Sequence, residues 1–431
     1  MRQSQLFYKT LKTAPKEALV ISHQLLLRGG FISQLASGVY NFLPLGLSVH
    51  KKIEEIIRQE MNSIGAQEVF LATLQPKEIW EKTNRWGKMD PPLFKIKDRH
   101  NKLFALGSTH EEVITDLVKS KIQSYKDLPL YLYQIQNKFR NEMRFTGGLL
   151  RTREFMMKDL YSFHRNEKDL EDYFQKVFSA YEKIFKRCGL DAIKSEASGG
   201  VFTKEKTYEF QILTDVGEDK IIYCPKCKWA SNLEVFNNVS QRCPKCSQKL
   251  SKANSIELGH IFRLGTKYSK DFNLCFLNEK GEKEFVVMGC YGIGLGRLMA
   301  AVVEVNHDDK GIIWPKEVAP FCVHLIPIEN TKKIKEKTEK IYQDLSSSGG
   351  STEAFSEGGQ KNKTEVLYDD RKDKTAGEKF AEADLIGIPI RIVVSEKTLK
   401  MNSVEIKKRS GTKTKLIEIK KLPTVINNSI Y

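Results

Sequence analysis

The first half of the chain contains segments in which hydrophobic residues recur at helical spacing and short runs of consecutive apolar residues. Val49, Ile53, Ile56 and Ile57 recur at helical spacing and predict a helix over residues 47–60. The amphipathic pattern of residues 169–188 predicts a second, longer helix. Runs of apolar, β-branched or aromatic residues predict strands over residues 69–71 (a buried strand ending by Pro76), 103–106, 131–139 and 154–163.

The second half of the chain changes pattern at Pro320. Before it, strands are predicted over residues 257–269, 274–277 and 284–290, and an apolar helix over 298–305. After it, strands and helices alternate, which is typical of an α/β unit of about 110 residues. Its predicted elements are residues 322–326, 331–345, 365–368, 376–386 and 389–394. Residues 346–364 are rich in Ser and Gly and are predicted to form a disordered surface loop.

Length and charge narrow the class of protein. A chain of 431 residues predicts two or three domains. Lys and Arg number 70 against 54 Asp and Glu, and the net charge of +16 favours a polyanionic partner. No stretch of the chain is long and apolar enough to predict a membrane span.

Four of the eight cysteines form two CxxC pairs, Cys224 with Cys227 and Cys243 with Cys246, separated by fifteen residues. This spacing is typical of a structural zinc site with four thiolates in tetrahedral geometry. Such a site has no open coordination position, so it predicts structure and not catalysis. The alternative is a ribbon that binds no metal. The other four cysteines are scattered, which indicates a reducing compartment.

A charged loop lies between the strands predicted over residues 131–139 and 154–163. Arg140 and Glu142 are two residues apart, which places both side chains on one face if the strand continues. A guanidinium group there can hold a phosphate with two hydrogen bonds, and a carboxylate can accept one from an amino group. A surface ladder of ion pairs is the alternative interpretation.

Glycines alternate from Gly292 to Gly296, directly before Arg297 and an apolar helix. Glycine allows a close backbone approach, and a helix N-terminus favours anions. A dinucleotide-binding turn is an alternative, although the flanking chain is not a series of βα units. A tight structural turn is another.

A hydroxyl and a carboxylate, those of Thr109 and Glu111, stand at a predicted helix start. Together they can hold a small ammonium group. Capping of the helix by Ser108 or Thr109 explains the same residues equally well.

Taken together, these clusters resemble the three signature motifs of class II aminoacyl-tRNA synthetases. The similarity places motif 1 at about residues 47–76, motif 2 at about 137–163 and motif 3 at about 286–305. Within the class, the chain is similar to the prolyl-tRNA synthetases of the bacterial and mitochondrial type. That similarity rests on residues 109–112, 153–159, 259–262, 267–269, 288–294, 369–371, 379–380 and 383–387.

The resemblance implies an α+β fold, with the antiparallel sheet of class II synthetases flanked by helices in residues 1–318. It also implies a small zinc-ribbon-like insert at residues 222–250 and an α/β anticodon-binding domain at 319–431. Full-length bacterial forms carry an editing insertion between motifs 2 and 3. Only 123 residues, Phe163 to Phe285, fill that gap here. We therefore expect a short form that does not edit mischarged alanine.

The implied reaction joins L-proline to tRNA(Pro) through prolyl-adenylate, with ATP and Mg²⁺ as substrate. Arg140 and Arg297 would be the catalytic cations, on the α- and γ-phosphates. Glu142 would contact the adenine amino group and Phe155 would stack on the ring. Arg151, Gly294 and Gly296 complete the implied ATP site, and Glu209 is a candidate magnesium ligand.

The resemblance also implies the remaining substrate contacts. Thr109 and Glu111 would hold the proline nitrogen, Arg140 would also contact proline, and His260 would lie near the same pocket. Arg144 would contact the tRNA acceptor stem. Asp370, Arg371, Lys379 and Asp384 are candidates for reading anticodon bases. Residues 396–421, with nine Lys or Arg against three Glu, are a candidate phosphate-contacting surface whose alternative is a solvated face.

The chain departs from the family pattern at several places. Ser108 replaces the usual proline of the clamp, and Asn141, Phe145, Thr146 and Gly147 differ in the motif 2 loop. Residues 207–210 and the Ser- and Gly-rich segment from Ser346 also differ. The main alternative is a catalytically inactive paralogue acting as a tRNA-binding or accessory subunit, which loss of the phosphate-binding arginines would favour. A zinc-ribbon protein that binds nucleic acid is a second, and a synthetase for threonine, serine or histidine is a third.

Assembly and compartment are further expectations. A homodimer through motif 1 is implied by the resemblance alone. The first 16 residues are basic and acid-free, like a mitochondrial transit peptide, and an ordinary basic helix is the alternative. The CxxC pairs and Trp86 resemble animal mitochondrial forms. We therefore expect the mitochondrial matrix, with the bacterial cytoplasm as the alternative.

Overall fold

The computed structural model describes residues 1–200, 202–203, 205–236, 242–347 and 364–430, with side chains to residue 426. Most of the predicted loop at 346–364 lies outside these residues. The chain divides into two compact units. The first, here the C-terminal unit, contains Met1–Ser33, Asn41–Lys52 and Asn306–Tyr431. The second, here the core unit, contains Gln34–Tyr40 and Ile53–Val305. The domain boundary at residues 318 and 319 stays a prediction.

The helices are numbered in chain order. They are α1 (Ile21–Arg28), α2 (Pro44–Ser63), α3 (Lys77–Lys82), α4 (Glu111–Lys119), α5 (Glu167–Arg187), α6 (Lys267–Phe272), α7 (Leu295–Val305), α8 (Lys332–Ser347), α9 (Ala376–Ile386), α10 (Glu396–Lys400) and α11 (Leu422–Ile430). Short 3-10 turns lie at Gln3–Gln5, Tyr125–Asp127, Gly148–Leu150 and Ile419–Lys421. Within the described residues, we find no helix that combines the length and apolar character needed to cross a membrane.

The strands follow the same numbering. They are β1 (Ile32–Ala36), β2 (Val39–Phe42), β3 (Gln67–Glu68), β4 (Leu74–Pro76), β5 (Lys95–Lys97), β6 (Leu103–Leu106), β7 (Leu130–Phe139), β8 (Glu154–His164), β9 (Ile193–Ala197), β10 (Thr207–Leu213), β11 (Asp219–Tyr223), β12 (Ala230–Asn232), β13 (Ser251–Gly265), β14 (Cys275–Leu277), β15 (Lys283–Phe285), β16 (Val287–Gly294), β17 (His307–Asp308), β18 (Gly311–Ile312), β19 (Val323–Pro327), β20 (Val366–Tyr368), β21 (Ile390–Val394), β22 (Ser403–Lys408) and β23 (Thr414–Glu418).

The core unit is built on a nine-stranded sheet in the order β10-β9-β12-β11-β13-β16-β8-β7-β3. Its pairs are antiparallel except β9 with β12 and β3 with β7. The antiparallel sheet with flanking helices confirms the predicted fold class. At its centre, Gly292 of β16 pairs with Asp159 of β8, and Gly259 of β13 pairs with Ile293. This register brings the first half of β8, the middle of β13 and the end of β16 together just before α7 begins.

Helix α5 covers part of this sheet, as its amphipathic sequence predicts. Asn166 caps it by accepting a hydrogen bond from the backbone N–H of Asp169, 3.0 Å away. Its apolar face is buried, and this burial stabilises the helix because it removes nonpolar surface from water. The buried residues include Leu170, Tyr173, Phe174, Val177, Tyr181 and Phe185.

The strand predicted over residues 69–71 is wrong. Strand β3 ends at Glu68, and the Phe70 side chain is 81% exposed. Beyond that point, glutamine side chains make the hydrogen bonds to the backbone that a neighbouring strand would otherwise make. The Leu71 N–H donates to Gln134 over 3.1 Å, and Gln136 donates to the Leu71 carbonyl over 2.6 Å.

Two other predicted elements need correction. The strand expected over 257–269 ends at Gly265, whose φ of +58° favours glycine, and α6 follows directly. The strand expected over 284–290 is two strands, β15 and β16, and the second continues to Gly294. The apolar sequence did not reveal these breaks. Gly265 ends β13 in a left-handed backbone conformation, and Val286 separates β15 from β16.

The C-terminal unit contains a five-stranded sheet in the order β20-β19-β21-β22-β23. The first three strands are parallel and the last two are antiparallel, so the predicted α/β alternation is confirmed. Thr375 and Glu378 form a capping box that starts α9 at the predicted residue. The hairpin of β22 and β23 was not predicted. It lies within the basic segment 396–421.

Candidate active site

One cavity of the core unit gathers most of the residues that the sequence predicted for substrate binding. It is lined by residues from β8, β13 and β16, from the starts of α4 and α7, and from the segment between β7 and β8. The predicted residues among its lining are Thr109, Glu111, Arg140, Glu142, Arg151, Phe155, His260, Gly294 and Arg297. Residues 109 and 297 are far apart in the chain, so the sheet is what assembles the site.

Two guanidinium groups face this cavity. Arg140 follows β7 directly, and its backbone N–H donates to the Arg153 carbonyl over 2.8 Å. Its side-chain Nε is buried and has no hydrogen-bond partner among the described residues. Burial lowers the pKa of Arg140, and the nearby Arg297 acts in the same direction. An unpaired cation of this kind is suited to an anionic ligand.

The second cation is already paired. Arg297 donates through Nη1 to Glu257 over 3.0 Å and through Nε to the Leu150 carbonyl over 3.0 Å. Phe155 lies beneath the first cation, with its ring centroid 5.2 Å from the Arg140 guanidinium carbon. The ring therefore offers a flat apolar surface beside a cation, which suits a nucleotide base and its phosphates.

The glycines predicted for nucleotide binding lie at the end of β16. Gly294 lines the cavity, as does Gly292, and a Cβ atom on Gly294 would lie 3.7 Å from the Arg297 side chain. Gly296 instead lies buried in the first turn of α7 and is not among the lining residues. Its predicted contact with ATP therefore has no support from its position.

The loop between β7 and β8 is held by ion pairs. Arg151 contacts Glu142 over 3.3 Å and Glu218 over 2.9 Å. Glu218 also accepts from the Thr146 hydroxyl. The pairs are partly exposed to water, so each stabilises the loop only modestly. Arg144 is exposed on the same loop, and its acceptor-stem contact stays a prediction.

Thr109 and Glu111 also line the cavity. The Thr109 hydroxyl donates to Glu111 Oε2 over 2.6 Å, and the Cys290 thiol donates to Glu111 Oε1 over 3.3 Å. The residue before α4 is His110, and no side chain caps the helix. The capping interpretation of Ser108 and Thr109 is therefore wrong, because the Thr109 hydroxyl is committed to the carboxylate.

Glu209, Glu257 and His260 bring one ligand atom each to within 4.8 Å of one another. His260 Nδ1 lies 3.2 Å from Glu209, and its Nε2 lies 2.8 Å from the Thr207 hydroxyl. Burial raises the pKa of Glu209 to about 8, helped by Glu257, and burial lowers the pKa of His260 to about 4. Two carboxylates that lie this close together and repel each other fit a magnesium ion, which prefers oxygen ligands.

The four predicted zinc ligands also meet. The sulfur atoms of Cys224 and Cys246 are 3.5 Å apart, and those of Cys227 and Cys243 are 3.4 Å apart. All four sulfurs lie within 4.8 Å of one another. Four thiols at this spacing match the edges of a tetrahedral zinc site. The residues present therefore fit a structural zinc ion.

The predicted anticodon residues lie in the C-terminal unit, and each has a protein partner. Asp370 accepts from the Ser4 N–H and hydroxyl, Arg371 pairs with Asp369 and Glu382, and Asp384 pairs with Arg391. Lys379 is 1% exposed, and its ammonium donates to the Pro327 carbonyl over 3.1 Å. That ammonium group therefore has its hydrogen-bond partner inside the C-terminal unit. Its anticodon contact stays a prediction that this position does not favour.

Several site residues were not found from the sequence. Glu257 lies in β13 between two apolar residues. An acidic residue at such a position is a signal of a functional role that the sequence did contain. Arg85, Glu112 and Cys290 surround Glu111. Lys138 and Asp159 form a buried pair at 2.7 Å. No local spacing connects these residues, because they meet only in the folded sheet.

Comparison with known proteins agrees with the fold. Residues 94–306 match the family described as tRNA synthetase class II core domain (G, H, P, S and T), and 322–429 match an anticodon binding domain. Prolyl-tRNA synthetases solved from Giardia lamblia with prolyl-adenylate and from Cryptosporidium parvum with L-proline and AMP are similar in fold. Their TM-scores are 0.77 and 0.76, at 20% and 19% identity, covering 94% and 95% of this chain and 77% of each of theirs.

Curated relatives are similar in sequence over their whole length. The proline–tRNA ligase of Caldicellulosiruptor bescii is 36% identical, covering 100% of this chain and 98% of the relative. That of Syntrophus aciditrophicus is 33% identical, covering 99% and 97%. The first alignment has 582 positions and this chain has 431 residues, so at least 151 positions, 582 less 431, lie opposite gaps in this chain. By sequence similarity over its full length, this chain belongs to the proline–tRNA ligase family of class II synthetases.

Proposed function

We propose that this protein attaches L-proline to tRNA(Pro) through prolyl-adenylate, in ATP-dependent fashion, for protein synthesis. The single observation that carries the proposal is one cavity lined by both the unpaired cation of Arg140 and the carboxylate of Glu111. An amino acid presents a cationic nitrogen and an anionic carboxylate, and ATP adds further negative charge. The cavity offers complementary charge to both ends.

The first step forms the adenylate. A carboxylate oxygen of proline attacks the α-phosphorus of ATP, and the bond to pyrophosphate breaks with its electron pair. Arg140 would neutralise charge that builds on the α-phosphate, and Arg297 would hold the γ-phosphate. Positioning and charge stabilisation supply the rate enhancement in such a reaction, with no nucleophilic side chain required.

The second step transfers the prolyl group. A hydroxyl of the terminal ribose of tRNA attacks the prolyl carbonyl carbon, and AMP leaves with the phosphate oxygen. The hydroxyl proton passes to a phosphate oxygen of the leaving AMP. Throughout, Thr109 and Glu111 would hold the proline nitrogen, and Phe155 and Glu142 would hold the adenine.

Glu209 and Glu257 are the residues that would hold Mg²⁺, with His260 beside them. The ion would neutralise oxygens of the triphosphate. Their own geometry supports this, because Glu257 lines the cavity and pairs with Arg297, and a Glu209 oxygen lies within 4.8 Å of a Glu257 oxygen. Both carboxylates gain a favourable partner when a cation binds. The sequence had suggested only Glu209.

We further propose that the four cysteines hold a structural zinc ion and that the chain does not edit mischarged alanine. At least 151 alignment positions of the Caldicellulosiruptor bescii relative have no counterpart in this chain, which supports the second proposal. A homodimer and a mitochondrial location are the remaining proposals. A sedimentation run at micromolar concentration tests the first, and imaging of the full-length tagged protein tests the second.

Amino-acid-dependent ATP–pyrophosphate exchange tests the central proposal. We expect proline to stimulate exchange, with little stimulation by threonine, serine, alanine or histidine. Arg140→Ala should abolish it. Arg187→Ala is a matched control, because Arg187 pairs with Glu60 and does not line the cavity.

No exchange with any amino acid, in a folded protein that binds ATP, would contradict the proposal. The alternative would then be the inactive paralogue that binds tRNA. Stimulation mainly by another amino acid would leave the chemistry intact and overturn the specificity.

A further inference from the structure

A second carboxylate lies behind the wall formed by Thr109 and Glu111. The Glu112 side chain is fully buried and does not line the cavity. It accepts hydrogen bonds from the Thr83 hydroxyl over 2.8 Å and from Arg85 Nη1 over 2.9 Å. The proposed reaction makes no direct use of Glu112 or of Arg85. Buried charges of this kind are costly unless they are paired, so their presence calls for an explanation.

Arg85 bridges the two neighbouring carboxylates. Its Nη1 lies 3.2 Å from Glu111 Oε2 and 2.9 Å from Glu112 Oε1. The same atom donates to the Tyr268 hydroxyl over 2.9 Å. Aromatic rings surround the guanidinium, at 5.4 Å for Trp80, 4.8 Å for Phe202 and 5.6 Å for Tyr268. The cation is therefore held in one position against both carboxylates.

Burial acts differently on the charges of Arg85 and Glu112. Burial opposes the charge of Arg85, but Glu112 and Glu111 outweigh it, and the pKa of Arg85 is raised. Burial raises the pKa of Glu112, against the effect of Arg85. With Arg85 charged and both carboxylates ionised, the group of three carries one net negative charge.

Other charged groups near Glu111 do not cancel this net negative charge. Lys138 is paired with Asp159 at 2.7 Å. Burial lowers the pKa of His110 to about 4, so its ring is neutral at pH 7. Lys267 is exposed and donates to the Phe202 carbonyl over 3.0 Å, and water screens its charge. Arg140 lines the same cavity and interacts with Glu111, but in the proposed reaction its cation is taken up by the phosphate of ATP and the carboxylate of proline.

We propose that Arg85 and Glu112 together set the charge of the amino-acid pocket, so that one negative charge remains on Glu111 for a cationic substrate nitrogen. This inference rests on the proposed function, because it concerns how that site selects its amino acid. Arg85 is a positioning residue that acts through Glu111. The substrate cation completes a neutral set of two carboxylates and two cations.

The charge count makes an unusual prediction for single and double variants. Glu112→Gln leaves Arg85 and Glu111 to cancel each other, so the pocket loses its attraction for a cation. Arg85→Met leaves two buried carboxylates side by side that share one proton, so the pair keeps one negative charge but nothing holds that charge on Glu111. Either single change should weaken proline binding. The double change R85M/E112Q restores one net negative charge and should recover it.

Proline-dependent pyrophosphate exchange gives the KM values that test this. We expect each single variant to raise the KM for proline at least about tenfold and to change the KM for ATP less than about twofold. The double variant should return to within about threefold of the parent. Arg85→Lys, which keeps the charge, should be closer to the parent than Arg85→Met. The matched control set is R187M, E60Q and their double, an ion pair of 3.0 Å outside the cavity.

A purely structural ion pair gives the opposite pattern, in which the double variant is as weak as the single variants or weaker. That result, in variants whose unfolding midpoints show that they are folded, would overturn the inference. If a single variant does not fold, the double variant compared with the parent still decides, since a rise in KM for proline above about tenfold contradicts the charge count. Absence of proline-stimulated exchange in the parent itself would overturn the proposed function, and this inference with it.

Discussion

The guanidinium of Arg297 donates to the carboxylate of Glu257 over 3.0 Å, across the junction of α7 with β13. Arg140, in the same cavity, has no such carboxylate partner among the described residues. The two cations are therefore prepared differently for a triphosphate. Arg297 is oriented in advance by a protein anion, whereas Arg140 keeps its charge for the ligand.

Replacing Arg297 should act mainly on ATP. We expect Arg297→Ala to raise the KM for ATP at least about tenfold, because a buried charged hydrogen-bond donor is worth roughly 1.5–3 kcal/mol. The KM for proline should change much less. Exchange kinetics at varied ATP measures this, with Arg263→Ala as control, because Arg263 pairs with Glu171 and does not line the cavity. An unchanged KM for ATP would remove Arg297 from the proposed ATP site.

Replacing Glu111 should act mainly on proline. In Glu111→Gln the pocket loses its remaining negative charge, although the Thr109 hydroxyl keeps a hydrogen-bond acceptor. We expect the KM for proline to rise by roughly 10- to 100-fold, from the loss of a charged hydrogen bond. Exchange at varied proline measures it. A comparable rise in the KM for ATP would indicate general damage to the cavity instead of a lost substrate contact.

The four-cysteine site should hold one zinc ion per chain. Metal analysis of freshly purified protein measures the content, and Cys243→Ser should reduce it to near zero. Since structural zinc contributes directly to folding, we expect the variant to melt at least about 4 °C lower, equivalent to 1–2 kcal/mol in a domain of this size. Cys275→Ser is the control, since Cys275 is partly exposed and lies outside the cysteine cluster. Zinc-free protein with an unchanged melting temperature would contradict the site.

Glu209 should make stability depend on pH in metal-free protein. Burial first, then Glu257, raises its pKa to about 8 from the ordinary 4.5, so the folded state binds a proton that the unfolded state has lost. Stability from this group is complete below pH 4.5 and is lost as pH rises towards 8, by at most about 1.4 kcal/mol per pH unit. Glu209→Gln should flatten that decline in chemical denaturation.

His260 contributes in the opposite direction over part of that range. Burial lowers its pKa to about 4, so stability from His260 increases as pH rises from about 4 to the ordinary value of 6.5. The comparison of Glu209→Gln with the parent is therefore the informative one between pH 6.5 and 8. Equal slopes for the two proteins there would show that Glu209 is already ionised. Added Mg²⁺ should stabilise the parent more than the variant at the upper end of this range.

The sequence by itself determined those elements whose pattern is local. The helical period at Val49, Ile53 and Ile57 predicted α2, and the apolar run before Arg140 predicted β7 within one residue. The spacing of Cys224, Cys227, Cys243 and Cys246 predicted a cluster that the fold brings together. These succeed because neighbouring residues in one element decide them, through side-chain periodicity and backbone geometry.

Only the tertiary structure decided where the charges of the site find their partners. Arg85 meets Glu111 and Glu112, and Arg297 meets Glu257, across sequence separations that no periodicity describes. Electrostatic energy depends on distance and burial in the folded chain, and both are set by how β8, β13 and β16 pair. The sequence therefore determined which chemical groups the site contains, and the fold decided which of them are neutralised and which remain charged for the substrate.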